Sequence, residues 1–220
     1  MHAITAAADA SPGPSFIKRA YYVLKAWRQA PLDVATLCPS SPSLTRKLAD
    51  RDCVKNAQNI IELGPGAGGT TQTLLEHMRP DARLMVVEKS TVFSEPLRAI
   101  DDPRLDVVMD DACSLVDLVT QRNFGLADVV VSGIPFSSMP ATTAKTIAES
   151  IHQVLRPGGV FIAYQIRDHV TEFARPLFGP AETEVVPMNL PPLTLYTWTK
   201  VCMPPSSAKD NGASRRSLSA

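Results

Sequence analysis

The chain is predicted to fold as an α/β domain whose doubly wound, mostly parallel sheet ends in an antiparallel C-terminal hairpin. Three observations predict it. Five short β-branched runs alternate with helical patterns between residues 59 and 165, the mark of a parallel sheet covered by helices. The first run leads straight into Gly64-Pro-Gly-Ala-Gly-Gly69, a strand-to-helix turn of the kind that lets backbone approach a ligand. The last two runs, Glu184–Met188 and Thr194–Val201, are joined only by Asn189-Leu-Pro-Pro192, too short for a crossover helix and suited to an antiparallel return at the sheet edge.

The elements follow in chain order. Residues 1–15, rich in Ala, Ser, Pro and Gly, read as a mobile tail, as do residues 204–220. The domain proper is assigned to residues 16–203. It opens with an amphipathic helix at Phe16–Arg28: at about 100° per residue, Phe16, Ile17, Ala20, Val23, Leu24 and Trp27 share an arc of roughly 120°. Lys18 and Lys25 lie opposite, and Arg19 and Arg28 flank the stripe. Such a helix suits an anionic bilayer surface, and equally suits packing on its own sheet. The strands of the body are expected at Asn59–Leu63, Arg83–Val87, Leu105–Met109, Asp128–Ser132 and Val160–Gln165. No internal repeat is visible.

A chain of 220 residues with 45% apolar and 20% charged composition can bury one core without disulfides or metals. Its zero net charge hides an uneven spread. Residues 1–59 carry eight Lys/Arg against four Asp/Glu, and residues 204–220 three against one, which leaves residues 60–203 at −6. Protein surfaces that grip nucleic acid are basic on the folded domain, so this distribution argues against a nucleic-acid partner. Cys38, Cys53, Cys113 and Cys202 show neither CxxC nor Cys/His spacing, so they support no metal or redox motif and read as buried free thiols of a cytoplasmic protein. The sequence shows neither a secretory start nor an apolar run of about 18 residues.

The chemistry gathers at strand ends. Gly64, Gly66 and Gly69 satisfy the GxGxxG of dinucleotide sites, whereas Gly64, Gly66 and Gly68 satisfy the GxGxG of methyltransferases. Glu62, two residues before the first glycine, favours the second: a carboxylate there attracts the cationic amino-acid part of S-adenosylmethionine and repels pyrophosphate. Glu88 ends the second strand and can accept both ribose hydroxyl protons. Asp111 follows the third, where it can accept the adenine amino hydrogens beside the small Ala112, or cap a helix.

On these residues the chain resembles class I S-adenosylmethionine-dependent methyltransferases over roughly residues 55–203. The resemblance rests on Glu62-Leu-Gly-Pro-Gly-Ala-Gly68, Glu88, Asp111-Ala112 and Leu155-Arg-Pro-Gly-Gly159. It implies S-adenosylmethionine across the carboxyl ends of the strands, and it brings Ser132 into the cofactor site. After the fourth strand, Gly133-Ile-Pro-Phe136 stands where adenine-N6 dimethyltransferases carry an Asn-Leu-Pro-Tyr type motif, so this more distant likeness lacks the amide that accepts from an exocyclic amine. A closer resemblance is to bacterial phospholipid N-methyltransferases. It is carried by the start ending in Trp27, Pro39-Ser40-Ser41 before a helix with Leu44 and Leu48, Ser132-Gly-Ile-Pro135, Gly158-Gly-Val-Phe-Ile-Ala-Tyr-Gln165, and Asn189-Leu-Pro-Pro192 with Trp198.

That resemblance implies successive methylation of the phosphatidylethanolamine amine toward phosphatidylcholine by a peripheral membrane enzyme. Phe16, Lys18, Arg19, Lys25, Trp27 and Arg28 would then meet the anionic surface, with Ser40 and Ser41 near the lipid. The developing cation would be served by the aromatic faces of Phe136 and Tyr164. Ser132, or the carbonyls of Ser132 and Gly133, would orient the amine, and Arg167 would meet the lipid phosphate. His169 is the one histidine placed after a strand end, as a candidate base. No metal is required.

Overall fold

The computed structural model describes residues 41–187 and 192–201. The Phe16–Arg28 segment, with its Phe16, Lys18, Arg19, Lys25, Trp27 and Arg28, falls outside the described residues, as do Ser40, Cys38, Cys202 and the two terminal tails.

Seven strands form one sheet: β1 (Asn59–Leu63), β2 (Arg83–Glu88), β3 (Leu105–Met109), β4 (Ala127–Ser132), β5 (Leu155–Gln165), β6 (Glu182–Val186) and β7 (Leu193–Thr199). Their order is β3-β2-β1-β4-β5-β7-β6. Strands β1 to β5 run parallel, and β7 runs antiparallel to both β5 and β6. The expected doubly wound sheet with its antiparallel C-terminal hairpin is therefore what forms.

Side chains of alternating strand residues feed two cores, as strands buried on both faces require. Ile60, Leu84, Val86, Val129, Val131 and Ile162 face α1 (Pro42–Ala49) and α3 (Gly69–His77), which supply Leu44, Leu48, Leu74 and Leu75. A short α2 (Asp52–Lys55) joins α1 to β1. On the other face Ile61, Leu63, Met85, Val130 and Phe161 pack under α5 (Leu115–Gln121), α6 (Ala141–Val154) and α7 (His169–Phe178). The small α4 (Ser94–Arg98) lies over the glycine turn, where Phe93, Leu97 and Ala67 form a third cluster.

The outward winding from β1, to β2 and β3 on one side and to β4 and β5 on the other, leaves a crevice where β1 and β4 diverge. This topological switch point is where such sheets bind ligands. Leu63 pairs with Ser132 at its mouth, and the Gly133 N–H donates to the Leu63 carbonyl at 2.9 Å.

Besides single-residue differences at the end of β2 and the start of β4, the strands depart from expectation at β5 and in the hairpin. Strand β5 begins at Leu155, not Val160, because Leu155 pairs with Ala127 and Val160 with Val129. The residues between, Arg156 to Gly159, bulge within the strand instead of forming a turn before it. The hairpin strands also begin earlier than expected, at Glu182 and Leu193. Cys53 and Cys113 are free thiols as expected, but half-buried rather than fully buried.

Candidate active site at the carboxyl ends of β1, β2 and β4

The glycine turn after β1 is held in a conformation that other residues resist. Gly64, Gly66 and Gly68 have φ of 69°, 57° and 81°, the left-handed region that a Cβ disfavours. Gly69 is simply the first residue of α3. The backbone thus uses the GxGxG spacing rather than GxGxxG.

Glu62 is fully buried, and its Oε2 accepts a 2.7 Å hydrogen bond from the Thr71 hydroxyl of α3. Its Oε1 has no hydrogen-bond partner among the described residues. Burial, aided by repulsion from Glu88 and opposed by Thr71, pushes the carboxyl up to about 8. A buried carboxylate with an unmatched oxygen beside a backbone turn is suited to receive a cation. Glu88, at the end of β2, accepts from the Gly66 N–H at 3.0 Å and from the Ser90 N–H at 2.8 Å, one on each oxygen. Burial raises its pKa against these bonds. Each oxygen keeps a second lone pair, enough for a vicinal diol.

Asp111 caps a 3-10 turn at Ala112–Ser114, its Oδ1 accepting from the Cys113 N–H at 2.9 Å. Its Oδ2 lies 3.1 Å from Lys89 Nζ. The Cys113 bond, with help from Lys89, holds the carboxyl below its ordinary range. Ala112 is buried beside it.

At the end of β4, Ser132 is fully buried, and its Oγ accepts from the Ile134 N–H at 3.3 Å. Gly133 lies directly beneath the Tyr164 side chain of β5: a Cβ there would stand 2.2 Å from the Tyr164 hydroxyl oxygen and 3.0 Å from the Gly64 carbonyl oxygen. Gly64, Gly133 and Tyr164 are thus brought together. Phe136 stands three residues beyond Gly133. It is 2% exposed, and its ring stacks on Phe173 of α7 with centroids 6.4 Å apart. Phe136 opens the 3-10 turn at Phe136–Ser138, and its ring belongs to the core cluster under α7. Arg167 and His169 are both exposed, in the turn after β5 and at the start of α7. The Ser41 side chain is the N-cap of α1, accepting from the Leu44 N–H at 3.2 Å.

Two residues escaped the sequence reading. Thr71 orients Glu62, and the only signal for it is a hydroxyl one helical turn beyond the glycines. Gln165, buried at the end of β5, donates from Nε2 to the Ile134 carbonyl at 2.6 Å and so ties the β4 loop to β5. An amide closing an otherwise apolar strand is its signal.

The residues fit S-adenosylmethionine: an unmatched carboxylate oxygen for an ammonium, a glycine turn for the chain, and a two-oxygen acceptor for the ribose diol. With this sheet order and these strand-end groups, the chain belongs to the class I S-adenosylmethionine-dependent methyltransferases. No protein-family model matches it. Its sequence is 34% identical over 166 residues to an ornithine lipid N-methyltransferase of Singulisphaera acidiphila, covering 74% of this chain and 86% of that protein. A ribosomal RNA small subunit methyltransferase A of Phenylobacterium zucineum is 34% identical over 97 residues, 43% of this chain and 32% of that protein.

Among solved structures, the N-methyltransferase NodS of Bradyrhizobium japonicum with bound S-adenosyl-L-homocysteine aligns with a TM-score of 0.60 at 14% identity, covering 84% of this chain and 97% of that one. An O-methyltransferase of Bacillus cereus, also with S-adenosyl-L-homocysteine, aligns with a TM-score of 0.61 at 16% identity, covering 86% and 93%. These likenesses show the fold. The cofactor is S-adenosyl-L-methionine. Among the described residues no group of three or more His, Cys, Asp or Glu is placed to hold a metal ion, and no helix is long and apolar enough to cross a membrane.

Proposed function

We propose that this protein methylates the primary amine of a lipid headgroup at an anionic membrane surface, with phosphatidylethanolamine, carried toward phosphatidylcholine, as the acceptor. The observation that carries the reading is the similarity to an ornithine lipid N-methyltransferase across 86% of that protein. The same relative favours a second reading, in which the acceptor is the amine of an ornithine lipid. Both are flexible aliphatic amines, and the site chemistry they need is shared.

In this reading Glu62 receives the ammonium of the cofactor's methionyl part, and Gly64, Gly66 and Gly68 let the backbone close on it. Glu88 accepts from the ribose hydroxyls. Asp111 faces the adenine amino group, with Ala112 leaving room for the ring. The bound cofactor supplies an electrophilic methyl on a cationic sulfur. Ser132 and Gly133, at the switch point, would hold and orient the acceptor nitrogen with its lone pair left free. An ammonium headgroup must lose a proton before its nitrogen can attack. Contact with the bilayer is assigned to Phe16–Arg28, and a lipid phosphate to Arg167, which is exposed in the turn after β5.

The test is incubation of the purified full-length chain with labelled S-adenosylmethionine and separate panels of vesicles containing phosphatidylethanolamine or ornithine lipid, RNA, and small amines. Label should enter a lipid, and the vesicle panel that takes it decides between the two headgroups. Label entering only RNA or only small amines would overturn the proposal.

A further inference from the structure

We infer that the Tyr164 hydroxyl, seated over Gly133, is the side-chain group that holds the acceptor nitrogen, and that this Gly133–Tyr164 pair selects a tetrahedral aliphatic amine over the flat amine of a nucleobase. The inference rests on the proposed lipid-amine acceptor and names what in the site makes that choice.

Three observations carry it. The first is position: Ser132 pairs with both Leu63 and Ala163, so Gly64, Gly133 and Tyr164 each stand one residue beyond the last of these pairings, at the crevice mouth. The second is contact. A Cβ at position 133 would lie 2.2 Å from the Tyr164 oxygen and 2.6 Å from its Cζ, separations no side chain tolerates, so the tyrosine occupies the space a residue at 133 would otherwise fill. The third is the fate of the neighbouring ring. A nucleobase amine is planar and needs an in-plane partner together with an aromatic face to stack on. Phe136, the aromatic residue nearest in sequence, is turned into the core against Phe173.

An aliphatic amine has simpler needs. It must place one N–H on an oxygen while its lone pair points at the methyl carbon, and a phenolic oxygen can accept such a hydrogen. The Gly64 carbonyl borders the same point, 3.0 Å from where a Gly133 Cβ would be. In the step itself the amine, having given a proton to water, forms the N–C bond with its lone pair. The C–S pair returns to sulfur, leaving a neutral thioether and a methylated ammonium.

The test compares wild type, Tyr164→Phe and Gly133→Ala as full-length proteins, on vesicles containing phosphatidylethanolamine and, separately, ornithine lipid. S-adenosylmethionine affinity and melting temperature are measured on the same preparations. Tyr164→Phe keeps the ring and removes the oxygen; kcat/KM for the amine should fall about tenfold to hundredfold, mostly in kcat, with cofactor Kd changed less than about twofold. Gly133→Ala should produce a comparable loss by driving the tyrosine off its seat. Wild-type kcat/KM in Tyr164→Phe would overturn the inference while leaving the lipid substrate in place, as would a loss of cofactor affinity in step with turnover. A wild-type protein that methylates neither lipid would overturn both.

Discussion

Glu62 is a carboxyl that the fold keeps out of water and, among the described residues, matches on only one of its two oxygens. Its folded pKa of about 8 lies above the ordinary 4.5, so the folded chain holds a proton there that the unfolded chain has released. The stability this contributes is full below about pH 4.5 and is lost as pH rises through about 8. A cationic ligand favours the ionised form, so binding S-adenosylmethionine should expel the proton. Affinity should therefore climb with pH toward about 8, then turn down as the ligand's own α-amino group loses its charge near the same value. Calorimetric titration in buffers of different ionisation enthalpy reads this release, and Glu62→Gln should remove most of it. An unchanged proton release in Glu62→Gln would place the titrating group elsewhere. Phe136 makes a second residue-scale prediction. Buried against Phe173, it should behave as a core residue, and Phe136→Ala should cost about 3 to 5 kcal/mol of stability in denaturant or thermal unfolding. A loss of turnover at unchanged stability would instead return the ring to the acceptor side.

Among the elements, α1 is tied to the C-terminal hairpin through Glu184 of β6, which pairs with Lys47 and with Arg51, while Arg51 also donates to Thr197 of β7. These contacts are largely exposed and fix orientation more than they add stability. The segment ahead of α1 carries the membrane prediction. Removing residues 1–28, or changing Lys18, Arg19, Lys25 and Arg28 to Glu, should abolish sedimentation with anionic vesicles and spare S-adenosylmethionine binding, since each basic residue near such a surface contributes about 1 kcal/mol. Normal sedimentation of the truncated chain would move the contact to another surface. The elements also show what a sequence can and cannot display. Strands β1 and β3 stand where their β-branched runs place them, because a buried parallel strand is written in consecutive residues. The start of β5 was hidden by Gly158 and Gly159, which signal a turn yet sit in a bulge. The glycine turn and its two glutamates were legible from local spacing. The inward turn of Phe136 and the seat of Tyr164 over Gly133 were not, because each depends on packing against an element distant in the chain.

For the whole molecule, charge and topology pull in different directions. The body at residues 60–203 is −6 and would be repelled by an anionic surface, while the basic excess lies in residues 1–59, partly on α1 and α2, and in residues 204–220. This division suits a catalytic body held at a membrane by an attachment outside the sheet, and it predicts that association weakens as salt rises through the physiological range. In the proposed reading the sheet would supply the rest: a switch point between β1 and β4, cofactor groups at the ends of β1 and β2 and just after β3, and acceptor groups at the ends of β4 and β5. The account stands most directly on what happens to the lipid. Mass spectrometry of lipids recovered from vesicles after incubation with the protein and S-adenosylmethionine should show a headgroup carrying added methyl on its nitrogen, absent when the cofactor is left out. Unmodified lipid, from a protein that binds the cofactor and passes its methyl to RNA or to a small amine, would contradict it.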